Sequence, residues 1–176
     1  FWSTFFKALG FEVRLSPRSS HALYMEGQHT IASDTVCYPA KLVHGHFEAL
    51  LRDPPDAVFY PCMTYNFDEG LGDNYYNCPV VAYYPEMIEA NVAAVRGIKY
   101  INDYVGLHRK KDFKKKIRAV LGKYFREIPQ NEINAAADKA YAAHDKYRKT
   151  IRAFCLKAIA LAKKEGRTVI VLAGRP

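Results

Sequence analysis

The sequence predicts an α/β fold: a short, mainly parallel sheet flanked by helices, with a long C-terminal helix. Three observations carry this. Short apolar runs rich in β-branched and aromatic residues (Ala57 to Tyr60, Val80 to Tyr84, Thr168 to Leu172) read as buried strands. Between them lie apolar patterns of helical period. Strands that alternate with helices in this way form parallel sheets with helical crossovers.

Taken in order, Phe1, Trp2, Phe5, Phe6 and Leu9 recur at helical spacing, and Gly10 supplies a stop. Phe11 to Leu15 alternates as a short strand closed by Ser16-Pro17. Ser19 to Glu26 reads as a helix begun by Ser19 or Ser20 and ended by Gly27. Pro39 to Arg52 is a longer helix with Leu42, Val43, His46, Phe47, Leu50 and Leu51 as its buried stripe. Pro39 suits its first turn, where a missing N–H costs nothing. Asp53-Pro54-Pro55 ends it. A loop with Tyr65, Phe67, Asp68, Glu69, Gly70, Gly72, Asp73, Tyr75 and Tyr76 joins the Ala57–Tyr60 and Val80–Tyr84 strands, and loops of such length are usually functional or mobile. Pro85 opens a modest helix to about Val95. A basic helix from Arg109 to Arg126 stops before Pro129. Asn131 caps a very long helix to Glu165, with Ile133, Ala137, Tyr141, Tyr147, Ile151, Phe154, Ala158 and Leu161 along one side. We expect it to pack across the domain. Gly166 ends it ahead of the Thr168–Leu172 strand.

The chain has 176 residues and is 49% hydrophobic, which suits a single α/β domain over 1–176 with a proper core. Thirteen tyrosines and ten phenylalanines argue against disorder. No apolar run approaches the length of a membrane span, and nothing resembles a secretory signal. The chain starts on Phe1-Trp2 inside a helical pattern and ends on Gly174-Arg175-Pro176 straight after a strand, so both ends read as truncated and the chain as a fragment of a larger polypeptide. The net charge of +8 is local: Arg109 to Arg126 holds nine Lys or Arg against Asp112 alone, and the rest of the chain sums to zero. This is a basic helix, not a basic protein. It suits a solvated face that docks a partner, with phosphate recognition and then nucleic acid ranked behind.

The cysteines carry the most chemistry. Cys37 precedes Tyr38-Pro39 at a helix start, Cys62 follows Pro61 at a strand end, and Cys78 precedes Pro79 at the start of the next predicted strand. Thiols at such boundaries face openings, and three of them converging would make a soft-metal site, of which an iron–sulfur cluster is the leading form. Cys37 has the strongest case, because a helix N-terminus favours the thiolate that binds metal. The alternatives are packed small hydrophobes, or disulfides in a secreted chain. The gaps are too long for a local knuckle and there is no C-x-x-C pair. Cys155 sits on the predicted core stripe of the long helix, so it reads as buried. His46 reads as a satisfied core histidine. His44, on the face of Lys41 and Cys37, reads as solvent-facing, with a hydrogen bond to a ligand near Cys37 as the alternative. The two point too far apart on a helix to chelate one ion. In α/β sheets ligands bind beyond the carboxyl ends of strands, where Cys62 lies and where Gly174 and Arg175 follow the last run. No phosphate-binding G-x-x-x-x-G-K-[ST], dinucleotide G-x-G-x-x-G or hydrolase G-x-S-x-G is present, and no carboxylate pair stands out. The sequence therefore does not look like that of a nucleotide hydrolase or an ester hydrolase.

Four stretches carry a resemblance: Ser33-Asp34-Thr35-Val36-Cys37-Tyr38-Pro39-Ala40-Lys41-Leu42-Val43-His44-Gly45-His46, Phe59-Tyr60-Pro61-Cys62, Asn77-Cys78-Pro79-Val80 and Val171-Leu172-Ala173-Gly174-Arg175-Pro176. They resemble the uncharacterised domain found with ATP-dependent activases of 2-hydroxyacyl-CoA dehydratases, typified by 2-hydroxyglutaryl-CoA dehydratase. The resemblance implies an anaerobic, cytoplasmic protein related in fold to the cluster-carrying dehydratase subunits. Those hold a [4Fe–4S] cluster on three cysteines, which map here to Cys37, Cys62 and Cys78. It implies an electron-transfer or cluster-binding module of a dehydratase/activase-type system, not catalytic alone, whose partners are the remaining domains of a parent polypeptide, including an activase-type ATPase. Two alternatives stand beside it: a cofactor-free interaction module docking through the basic helix 109–126, and a pocket for CoA, acyl-CoA or a nucleotide at the carboxyl edge of the sheet.

Overall fold

The computed structural model describes residues 1–68, 70, 72–125 and 128–172. Among them six α-helices and a two-stranded parallel sheet make an α/β fold: α1 (Trp2–Ala8), α2 (His21–Gly27), α3 (Tyr38–Leu51), β1 (Ala57–Phe59), α4 (Pro79–Asn91), β2 (Lys99–Ile101), α5 (Lys110–Tyr124) and the long α6 (Gln130–Lys164). Short 3₁₀ turns, Gln28–Thr30 and Ala93–Gly97, follow α2 and α4.

The two strands pair in register, Ala57 with Lys99, Val58 with Tyr100 and Phe59 with Ile101. A further parallel pair, Cys62 with Tyr104, extends the alignment past the strand ends, where the Val105 N–H donates to the Cys62 carbonyl at 3.0 Å. Parallel strands need a crossover, and α4 provides it. A crossover helix runs back along the sheet, so α4 begins at the carboxyl edge of β1. Helix α3 leads into the amino end of β1 through the short Arg52–Asp56 link, so its own start lies towards that same edge.

The helix boundaries follow from local chemistry. Gly10 adopts φ of 87° just beyond α1, a conformation open to glycine at no steric cost. Ser20 caps α2 by accepting from the Leu23 N–H at 3.1 Å. Pro39 and Pro79 occupy the first turns of α3 and α4, where their lost N–H has no intrahelical partner to miss. Gly166, at φ of 65°, follows α6.

The chain divides into two units, Phe1–Val13 with the described residues from Asn131 onward, and Arg14–Gln130. In the larger unit, Ala40 and Phe47 of α3 pack with Val58 of β1, Tyr84 and Ile88 of α4, Val92, Val95 and Tyr100 of β2. Truncating a side chain as enclosed as Ile88 to alanine costs about 2–5 kcal/mol. Helix α5 buries Phe113, Ile117, Val120 and Leu121, spaced along one face, and leaves most of its lysines exposed. In the smaller unit, α1 meets the first half of α6 through the Phe1 and Tyr141 rings, 4.9 Å apart and edge to face.

Several expected elements differ. Val80–Tyr84 is not a strand but the first turns of α4, and Pro85 lies inside that helix instead of opening one. The helical face Ala82, Pro85, Ile88 and Val92 is the one that is buried, and it outweighs the β propensity of the valines and tyrosines. Phe11–Leu15 and Thr168–Leu172 form no strand, because neither has a neighbour to pair with among the described residues, and Leu172 is 94% exposed. The strand β2 is too short to stand out in the sequence. The basic helix ends at Tyr124; Arg126 lies outside the described residues, as do Glu69, Gly174, Arg175 and the terminal Ala173–Pro176 part of the motif. The buried residues of α6 lie in its first half, Ile133 and Ala137 of the predicted stripe together with Ala136 and Ala140 beside it. From residue 149 to 161 every described side chain is exposed, so the helix does not pack along its whole length.

Candidate functional site

Cys37 is the N-cap of α3 and Cys78 the N-cap of α4; both are exposed, and neither helix has a side-chain cap. Cys78 therefore opens a helix, not a strand. Cys62 lies three residues past β1 and is fully buried. Burial pushes the Cys62 thiol up to about 11; the charges of Glu86, Asp103 and Glu89 act in the same direction, and the Glu86 backbone N–H that reaches its sulfur opposes them. Cys155 is exposed on α6, in the other unit, against the expectation of a packed core residue: the described side chains on either side of it along the helix are exposed as well.

The loop between Cys62 and Cys78 closes on itself. Thr64 and Asn77, Tyr65 and Tyr76, and Asn66 and Tyr75 face each other as an antiparallel ribbon, with Asn66 N–H to Tyr75 O and Asn77 N–H to Thr64 O both 2.9 Å. The Tyr65 hydroxyl donates to Tyr76 at 2.5 Å. At the neck, the Asn77 side chain donates to the Met63 carbonyl at 2.8 Å. Met63 follows Cys62 and Asn77 precedes Cys78, so this bond ties the two cysteine-bearing segments together. The sequence offered one signal for it, an asparagine directly before a Cys-Pro pair.

Beside the neck a cleft of about 410 Å³ opens between the 32–36 segment and α4. Val36, the neighbour of Cys37, and Pro79, the neighbour of Cys78, both line it, with Tyr83 and Met87 on the α4 side. Its floor is His44 and Tyr84. His44 is 1% exposed, so its reading as solvent-facing is corrected. It faces inward because Gly45 lets α2 approach α3 closely, turning this side of the helix to the interior.

The hydrogen-bond directions around His44 follow from donor counting. The Thr30 hydroxyl donates to the Gly27 carbonyl at 2.9 Å, so the Thr30 oxygen accepts from His44 Nδ1–H at 2.8 Å. His44 Nε2 is then free to accept from the Tyr84 hydroxyl at 2.9 Å. The result is a buried neutral histidine. Burial, and then electrostatic repulsion from the neighbouring His29, lower its pKa below the ordinary value. Burial raises that of Tyr84, with Cys37 acting the same way. Thr30 and Tyr84 are partners that sequence reasoning missed, since neither spacing nor motif links them to His44. His46, expected as a satisfied core residue, is half-buried: one nitrogen meets Ser19 Oγ at 3.0 Å, while the buried Nδ1 has no hydrogen-bond partner among the described residues.

With this geometry in hand, the chain can be compared with known families. One family model, the CoA enzyme activase uncharacterised domain, matches residues 1–176. The chain belongs to that family. Neither the curated proteins nor the solved structures give a significant match. Cys37, Cys62 and Cys78, three of the four cysteines of this activase domain, are soft donors of the kind that an iron–sulfur cluster takes. Among the described residues, however, no three His, Cys, Asp or Glu side chains are gathered in a group that would hold a metal ion. The described residues lining the cleft carry no Lys or Arg, so it offers no cation to a phosphate. Among the described residues no helix is long and apolar enough to cross a membrane.

Proposed function

We propose that this activase domain is a cluster-binding, electron-transfer module of a 2-hydroxyacyl-CoA dehydratase/activase-type system, with Cys37, Cys62 and Cys78 as ligands to a [4Fe–4S] cluster. The observation that carries the reading is the neck of the loop. Asn77 bonds Met63 between Cys62 and Cys78, while the neighbours of Cys37 and Cys78 share the walls of one cleft. Two of the three thiols also sit exposed at helix N-termini, Cys37 at that of α3 and Cys78 at that of α4.

A cluster bound there would supply one-electron chemistry, and three protein ligands would leave one iron open. The chain's own part would be to deprotonate Cys62 and bring its sulfur out from the interior, with the paired 64–66 and 75–77 segments moving to let Cys78 approach. This domain is not a catalyst alone; it works with an activase-type ATPase and the other parts of such a system, in the cytoplasm of an anaerobe.

Anaerobic reconstitution with iron and sulfide tests this. Wild-type protein should turn brown and retain cluster-stoichiometric iron and sulfide. Cys37→Ser, Cys62→Ser and Cys78→Ser should each lose most of it, and Cys155→Ser should not. Colourless, metal-free wild-type protein after reconstitution would defeat the proposal. It would favour the second reading, a cofactor-free module docking through α5, whose apolar side is buried and whose lysines face outward.

A further inference from the structure

The distal half of α6 presents a feature that the cysteine site does not use. Tyr147, Ile151, Phe154, Ala158 and Leu161 repeat at spacings of four, three, four and three, the pattern of one seam of a coiled coil. The large members of that seam lie in the open: Tyr147 is 64% exposed, Phe154 71% and Leu161 56%. From Lys146 to Lys164 the helix carries seven Lys or Arg and no Asp or Glu. Lys157 and Lys164 stand on one shoulder of the seam at the positions that face a partner helix, and Arg152 lies towards the other. A lone, fully solvated amphipathic stretch of this length is marginal in water and draws most of its stability from a partner.

We infer that this half of α6 is a docking helix for an acidic amphipathic helix of another protein or domain, the two forming a two-stranded coiled coil. Charge selects the occupant. A second copy would set cations against cations along the seam, whereas glutamates on a partner's shoulders would meet Lys157 and Lys164. An anionic membrane shares the charge preference, but a seam spaced by strict fours and threes fits one partner helix better than a flat surface.

The test uses the whole chain and two synthetic four-heptad peptides. Both carry Ile and Leu on the seam; one has Glu and the other Lys at the shoulders. Fluorescence anisotropy should show one-to-one binding of the Glu peptide at least tenfold tighter than of the Lys peptide, weakening with added salt. The combined Arg152→Glu, Lys157→Glu and Lys164→Glu variant should bind the Glu peptide about tenfold more weakly, the summed effect of several exposed pairs. Ile151→Asp with Phe154→Asp should abolish binding while leaving thermal unfolding unchanged, because both residues are exposed and their loss opens no core. Equal affinity for the two peptides, no binding, self-association of the chain through this seam, or binding to phosphatidylserine vesicles with no preference for the Glu peptide would each overturn the inference.

Discussion

Gly45→Ala should be among the most damaging single-methyl changes in this protein. At the crossing of α2 and α3 the backbones touch at Gly27 and Gly45. A methyl on Gly45 would be driven into the Leu23 carbonyl group, deep inside van der Waals contact, and would also meet Leu23 Cγ at 3.2 Å. Ordinary contact begins at 3.4 Å. The main obstacle is backbone, so no side-chain rotation relieves it and the helices must part. Overpacking of this kind costs about 1–3 kcal/mol. Parting the helices also strains the Thr30–His44 hydrogen bond, since Thr30 follows α2, which adds about 1 kcal/mol. A total near 3 kcal/mol lowers the melting temperature by about 6–12 °C for a chain of this size. Circular dichroism melting and urea titration should both show it, with the urea dependence unchanged. Gly122→Ala is the control: a Cβ there meets nothing within 4 Å, and alanine favours the α5 helix by up to about 1 kcal/mol. Equal stability of Gly45→Ala and Gly122→Ala would refute the close approach of α2 and α3.

Other consequences can be measured on the same protein. Tyr84→Phe removes the donor to buried His44 Nε2 and should cost about 1–3 kcal/mol in urea unfolding; with His44→Leu in the same chain the combined loss should fall short of the sum. His44 and His46 both have pKa values lowered by burial, so the unfolded chain takes up protons first as the pH falls. Stability should be level above the ordinary histidine value of 6.5 and should drop below it, by at most about 1.4 kcal/mol per pH unit for each histidine, until the lowered folded values are reached. A stability that rises between pH 7 and pH 5.5 would contradict this. With its thiol at about 11, about one Cys62 in a thousand is ionised at pH 8, and it is buried besides; iodoacetamide should therefore modify Cys37, Cys78 and Cys155 well before Cys62, as peptide mapping would show.

Local signals in the sequence reached the helix ends well and the packing poorly. Ser20, Pro39, Gly10 and Gly166 each act through their own backbone or cap, so their roles are visible without a fold. Gly27 shows the limit. It reads as a helix stop, but its φ of −92° is open to any residue, and what requires glycine there is the backbone of α3, which a Cβ would strike at Gly45 N and His44 C. The same limit explains the exchange of His44 and His46. The apolar stripe of α3 implied one inward face, but the glycine contact with α2 rotates burial towards Ala40, His44 and Phe47. Thr168–Leu172 and the seam of the second half of α6 have the apolar pattern of buried elements, yet their large side chains are exposed among the described residues: apolar pattern reports what a segment is suited to bury, not whether its partner is present.

The correction at Val80–Tyr84 bears on the cysteines more than on the fold class. A strand there, parallel to β1, would begin at the amino edge of the sheet and carry Cys78 to the end opposite Cys62. A crossover helix begins where β1 ends, so the same residue, capping α4, belongs to the carboxyl edge that Cys62 occupies. The fold expected from the sequence and the metal site expected from it were thus in conflict over Cys78, and the helix removes the conflict. It also gives Cys78 the place that Cys37 has, the N-cap of a helix with a proline in its first turn. Cys62 then becomes the ligand on which the proposal turns. Its thiol is the one held neutral by burial and by three carboxylates. Replacing Glu86, whose charge acts on Cys62 more strongly than those of Asp103 and Glu89, with Gln should lower the Cys62 thiol pKa. If loss of that proton limits cluster uptake, Glu86→Gln should speed anaerobic reconstitution without changing the final iron content. An unchanged rate would mean that motion of the loop, not ionisation of Cys62, governs access to the site.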